Sequence, residues 1–180
     1  MESQQTTANK WNVWYHHTKD NWTIDGYRKI YEINDGISFW KLFNNWDSIG
    51  GVTSRNFFIM KDKVLPIWED PVNMKGGCWS FKIIDSMADE LWGDLATLMV
   101  SDELVHDTEA LGLSIAIKKN NTCVIKIWNN DSNMNSIKYI NKNIYYLYCV
   151  ENNGGIFNIN VNFYFSVNKV ALSFNISRFS

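Results

Sequence analysis

Trp68-Glu69-Asp70 sets a large aromatic face beside two carboxylates, a combination with a specific chemistry. An indole stacks on a flat, electron-poor ring. A neighbouring carboxylate can accept two hydrogen bonds from the Watson–Crick edge of guanine, where N1–H and the N2 amino group both donate. Adenine carries an acceptor at N1 and would leave that carboxylate unpaired. A second Trp over the opposite face would complete a sandwich, and its π faces would favour a cationic purine such as 7-methylguanine over a neutral one. The chain has nine Trp in 180 residues, more than a core of this size requires. Trp14, Trp46, Trp79 and Trp92 are expected in the core, the usual place for large aromatics. Trp68, flanked by Pro66 and two acids, is expected on a loop, where functional groups concentrate.

The elements that must position these groups are legible in the patterning. Aromatic and β-branched residues mark strands at 11–15 and 27–33. Asn34-Asp35-Gly36 has turn chemistry and can start a helix, in which Ile37, Trp40, Leu42 and Phe43 lie near helical spacing. Gly50-Gly51 opens a loop before a strand at 56–60. Residues 64–77 hold both prolines and read as a long loop. A strand follows at 78–84, then a helix capped by Asp85 or Ser86 and running to about Val105. Residues 113–118 and 123–128 alternate around Lys119-Asn120-Asn121-Thr122 and predict a hairpin. Asp131 or Ser132 is expected to cap a third helix through about Tyr146. Strands at 156–166 and 170–177 close the chain. The fold class is α+β: a curved antiparallel sheet with about three helices on its convex face and the ligand on the concave side. Residues 1–10 are expected to be a short flexible tail, and residues 11–180 one domain without repeats or linker.

The same motifs carry a family resemblance. Leu65-Pro66-Ile67-Trp68-Glu69-Asp70, followed by Lys75-Gly76-Gly77-Cys78-Trp79, resembles the signature of the mRNA cap-binding translation initiation factor 4E family. Trp11-Asn12-Val13-Trp14-Tyr15 resembles its first strand and Phe39-Trp40-Lys41-Leu42-Phe43-Asn44 its first helix. Asp89-Glu90-Leu91-Trp92 resembles the opening of its second helix, and Ile125-Lys126-Ile127-Trp128 a later strand. The resemblance implies a sandwich of 7-methylguanine between Trp22 and Trp68, guanine readout by Glu69 and a methyl contact from Trp128. It also implies cations for the triphosphate, and here the chain departs from the family. Cys78 stands where an Arg is usual and Val124 where a Lys is usual. Lys118 occupies the place of a second Arg, keeping the charge without the bidentate fork. Lys126 shares a strand face with Val124 and Trp128, since alternate residues point the same way, and could supply the missing charge. Lys169 lies where the family has a mobile basic loop. On the face away from the cap, Trp40 and Asp94 match positions that receive a helical motif from a scaffold or repressor protein. Gly93 and Thr97 replace larger apolar residues there.

Composition bounds the remaining classes. Net charge is −2 and charged residues make up 20%, which argues against a coat for long nucleic acid, DNA included. Cys78, Cys123 and Cys149 form no CxxC pair and read as reduced thiols of a cytoplasmic protein. The N-terminus lacks an apolar signal segment, and no apolar run approaches a membrane span. His16, His17 and His106 lack partners at metal-ligand spacing, and no phosphate-binding glycine loop or nucleophile motif occurs. No metal, cofactor or catalysis is therefore expected. The leading expectation is a protein that binds the cap and recruits mRNA for translation. The alternatives are a repressor or storage factor of the same fold, a cap-processing enzyme and a Trp-rich carbohydrate-binding module.

Overall fold

The computed structural model describes residues 6–144 and 162–167. Among these residues seven strands form one sheet: β1 (Thr6–His16), β2 (Tyr27–Asp35), β3 (Phe57–Lys61), β4 (Gly77–Ile84), β5 (Ala110–Lys118), β6 (Thr122–Asn129) and β7 (Asn162–Val167). Their order is β2-β1-β3-β5-β6-β4-β7, with every neighbouring pair antiparallel. Among the described residues, α1 (Gly36–Phe43) and α2 (Ala88–Val100) cover one face. This is the expected α+β class. Period-2 alternation sorts each strand between two apolar layers. Val13, Phe57, Ile59, Leu113, Ile115, Ile125, Ile127, Trp79 and Phe81 meet Phe39, Leu42, Leu91, Trp92 and Leu95 of the helices. Phe58, Met60, Cys78, Leu111 and Trp128 point to the other face and join Tyr27 and Val64 in a smaller cluster.

Local chemistry sets the boundaries. Asp35 ends β2 and caps α1: its carboxylate accepts from Ser38 N (2.7 Å), while Ser38 Oγ accepts from Asp35 N (3.0 Å). Asn120 and Asn121 take φ of 63° and 53° in the β5–β6 turn, a left-handed conformation that Asn tolerates.

Several expected bounds differ. β1 begins at Thr6, where Thr6 pairs with Asp35, so much of the expected tail is strand. Its polar composition suits a segment paired only with the sheet's edge strand. Residues 85–87 form a 3-10 turn, and α2 ends at Val100 rather than near Val105. Asp102 turns left-handed (φ 62°) and Glu103 N donates back to Leu98 O (2.8 Å), closing the helix; Val105 then bridges Ile140. The continuous helix expected from 131 is absent through residue 141. Asp131 Oδ1 accepts from Asn133 N (2.9 Å), and a 3-10 turn follows at Ile137–Tyr139. Such short polar side chains compete with helical backbone bonding. Asn141 Oδ1 accepts from Asn143 N (2.9 Å), and helical residues begin at Lys142. The expected loop 151–155 and strand 170–177 lie outside the described residues, as does most of 156–166.

Candidate cap-binding cleft

The loop between β3 and β4 is tied to itself by two buried side chains. Asp70 Oδ2 accepts from Leu65 N (3.0 Å) and its Oδ1 from Val72 N (2.8 Å). Asn73 Nδ2 donates to Leu65 O (2.8 Å) and Ile67 O (2.7 Å). These bonds satisfy backbone groups that no strand partner reaches, so the loop holds a fixed shape without regular structure. Trp68 projects from it, half-buried, over the sheet face opposite the helices.

Below it lies Trp128 of β6, buried, with Nε1 donating to Ser114 Oγ across the β5–β6 pair (2.9 Å). The two rings lie 4.7 Å apart at 37°. Lys126 Nζ stands 4.6 Å from the Trp68 ring centroid. Lys126 pairs with Ser80 and Ser114, and its side chain leaves the same face as Trp128. Burial is the largest influence on its ammonium and lowers its pKa; Cys78 opposes that shift, and Lys118 adds to it.

Trp22 lies on the other rim and is 51% exposed. Its ring is parallel to His16, with centroids 4.0 Å apart and planes at 10°. His16 Nε2 lies 2.6 Å from Asn21 O, which fixes the imidazole against the turn carrying Trp22. Trp22, Tyr27, Trp68, Lys118, Lys126 and Trp128 border one cleft of about 260 Å³. Glu69, which follows Trp68 in the loop, is exposed and is not among the residues that border the cleft. The Tyr27 hydroxyl has its pKa raised by burial first and by the Glu69 charge second.

The cleft therefore brings Trp22, Trp68, Trp128, Lys118 and Lys126 together. Trp22 rests on His16 and Trp68 leans on Trp128. Cys78 is fully buried in the floor, paired with Trp128, and offers nothing to a ligand. Val124 lines the cleft, and Lys82 pairs with it across β4–β6, so a further lysine leaves this face. Lys169 lies outside the described residues, as does Cys149. Trp40 and Asp94 sit on α1 and α2, on the other side of the sheet; Trp40 is 53% exposed and Asp94 half-exposed. Trp46, Trp79 and Trp92 are core as expected, whereas Trp14 is only partly buried. Sequence reasoning missed His16, Asp70, Asn73 and Ser114. The Asp-x-x-Asn spacing of 70 and 73 within a proline-bearing loop was the available signal for two of them.

Residues 6–172 match the sequence profile of eukaryotic initiation factor 4E. The chain belongs to the eukaryotic initiation factor 4E family. Relatives of this 4E-family chain include the eukaryotic translation initiation factor NCBP of Oryza sativa subsp. japonica. It is 25% identical over 109 residues, covering 60% of this chain and 48% of the relative. Eukaryotic translation initiation factor 4E-1 of Caenorhabditis elegans is 27% identical over 146 residues, covering 73% and 68%. The match spans about half the length of the rice and wheat relatives. The fold is shared with Schistosome eIF4E complexed with m7GpppG and 4E-BP (TM-score 0.64, 17% identity, 74% of this chain and 76% of that one). It is also shared with C. elegans eIF4E-3 in complex with the 4E-binding protein Mextli and cap analog (TM-score 0.62, 21% identity, 73% and 77%). Among the described residues of the 4E-family chain, no helix is long and apolar enough to cross a membrane, and no His, Cys, Asp and Glu side chains group to hold a metal ion.

Proposed function

We propose that this chain binds the 7-methylguanosine 5′ cap of mRNA and recruits capped mRNA for translation initiation, as a binding protein rather than an enzyme, in the cytoplasm. The observation that carries the reading is the cleft itself: three indoles and two lysines gathered on one sheet face in a chain of this family. Trp22 and Trp68 stack on the cationic base, Glu69 accepts from its N1–H and N2 amino group, and Trp128 meets the methyl group. Lys118 and Lys126 take the phosphates, with Lys169 toward the next nucleotide. Trp40 and Asp94 receive a helical motif from a scaffold factor or repressor. The sandwich forms when Trp22 and Trp68 exchange their present ring partners for the base.

Calorimetric titration with 7-methyl-GTP, against GTP, tests this on the wild type and on Glu69→Ala. Saturable binding of the methylated nucleotide is expected, with GTP weaker. Loss of a charge-assisted pair of hydrogen bonds in the variant costs about 2–3 kcal/mol, or roughly 30- to 150-fold in affinity. Equal affinity for the two nucleotides, or an Ala variant indistinguishable from wild type, refutes the assignment.

A further inference from the structure

Lys126 is half-buried in the cleft wall, while Lys118 at the same cleft is exposed. The ion pairs among the described residues are Lys29–Glu32 and Lys61–Glu109, so no carboxylate there neutralises Lys126. Its ammonium lies over an indole face, that of Trp68. This is the interaction a methylated, cationic purine would make with the same ring. The chain thus carries, at the ring assigned to stack on the base, a cation of its own that meets no anion among the described residues. Cys78 is buried and Val124 apolar, so the two positions flanking this part of the sheet bring no charge to a phosphate.

We propose that Lys126 is an internal occupant of the purine site, resting on Trp68 in the free protein and turning to the phosphate chain when the base arrives. The proposal rests on the cap-binding reading of the cleft and goes beyond it. A base alone must displace the ammonium without offering it an anion. A phosphate chain alone draws the lysine away and leaves the indole uncovered. A ligand bearing both a cationic base and phosphates satisfies both partners at once, so Lys126 couples recognition of the two halves.

The test is calorimetric titration of wild type, Lys126→Met and Lys126→Arg with the nucleoside 7-methylguanosine and with 7-methyl-GTP. Methionine keeps the length of the stem and removes the charge. It is expected to bind the nucleoside about two- to fivefold more tightly, because no cation has to leave Trp68. It is expected to bind the triphosphate about tenfold or more weakly, because a charge-assisted contact is lost. Arginine restores triphosphate affinity without the nucleoside gain. Shifts of opposite sign cannot arise from a damaged fold, which would weaken both ligands. If Lys126→Met leaves the nucleoside unchanged while weakening 7-methyl-GTP, the lysine is a phosphate contact only and the proposal fails; if it weakens both, the lysine supports the cleft rather than competing for the indole, and the proposal fails as well. If wild type binds neither methylated ligand, the cap reading fails and this proposal with it.

Discussion

Replacing Asp70 by Ala tests whether the loop that carries Trp68 is held by its own side chains. Asp70 is 5% exposed, and its carboxylate accepts from two backbone amides, Leu65 N at 3.0 Å and Val72 N at 2.8 Å. A hydrogen bond to a charged acceptor contributes about 1.5–3 kcal/mol net, so the pair sets an upper bound of about 3–6 kcal/mol. The freed amides regain water when the loop opens, which brings the expected loss of local stability to about 3 kcal/mol. That corresponds to roughly a hundredfold fall in protection of the two amides against hydrogen exchange. Asn73 still holds Leu65 O and Ile67 O, so the loop loosens rather than detaches. Affinity for 7-methyl-GTP falls in proportion to the fraction of molecules that keep the loop in place. Amide exchange followed by NMR, with a calorimetric titration on the same sample, reads both effects. If the Leu65 and Val72 amides of the variant stay as protected as in wild type, the carboxylate does not organise the loop and the reasoning is refuted.

Further outcomes follow from how each side chain is buried or exposed. Trp40→Ala, at a position 53% exposed, is expected to change unfolding stability by less than about 1 kcal/mol, whereas truncation of the buried Trp92 costs about 3–5 kcal/mol. The same Trp40 variant is expected to weaken docking of an amphipathic helical peptide from a 4E-binding protein by about 2 kcal/mol or more, read by thermal melts and peptide titration. Burial, reinforced by Asp85 and Asp89, pushes the Cys123 thiol up to about 12 from its ordinary value near 9. Between those values the unfolded chain has released this proton and the folded chain retains it, so the folded state binds more protons and stability falls as pH rises through that window. The loss of urea stability between pH 8 and pH 10.5 should be smaller in Cys123→Ala than in wild type; equal slopes would contradict it.

Much of the scaffold was readable because its strands alternate cleanly. Phe57 and Ile59 face the helices while Phe58 and Met60 face the cleft floor, and the same period put Lys126 on the face of Trp128. The long loop announced itself through Pro66 and Pro71. Polarity misled in two places. Residues from Thr6 onward look like a tail but pair along β2, and the Asn-rich stretch after Asn129 looks like a capped helix but spends its side chains on local turns. The ring partners were not legible. Whether Trp22 meets a ligand or His16 depends on the path of a short turn, fixed here by a contact between His16 and Asn21 O, and no periodicity encodes that. The cation on Trp68 is likewise a relation between a loop and a strand, which one sequence cannot place.

The distribution of the indoles also shapes how this molecule emits light. The ring nitrogens of Trp11, Trp46, Trp79 and Trp92 are buried with no hydrogen-bond partner among the described residues. Indoles held in such dry surroundings emit at short wavelength, whereas indoles that touch water emit toward the red. Trp22 and Trp40 are the strongly exposed Trp side chains among the described residues, one on the cleft rim and the other on the helix layer. The red edge of the spectrum therefore combines two surfaces, and the blue part serves as an internal reference for the fold. Trp40→Phe would leave that edge dominated by Trp22, so the chain would report the state of its cleft without an added label.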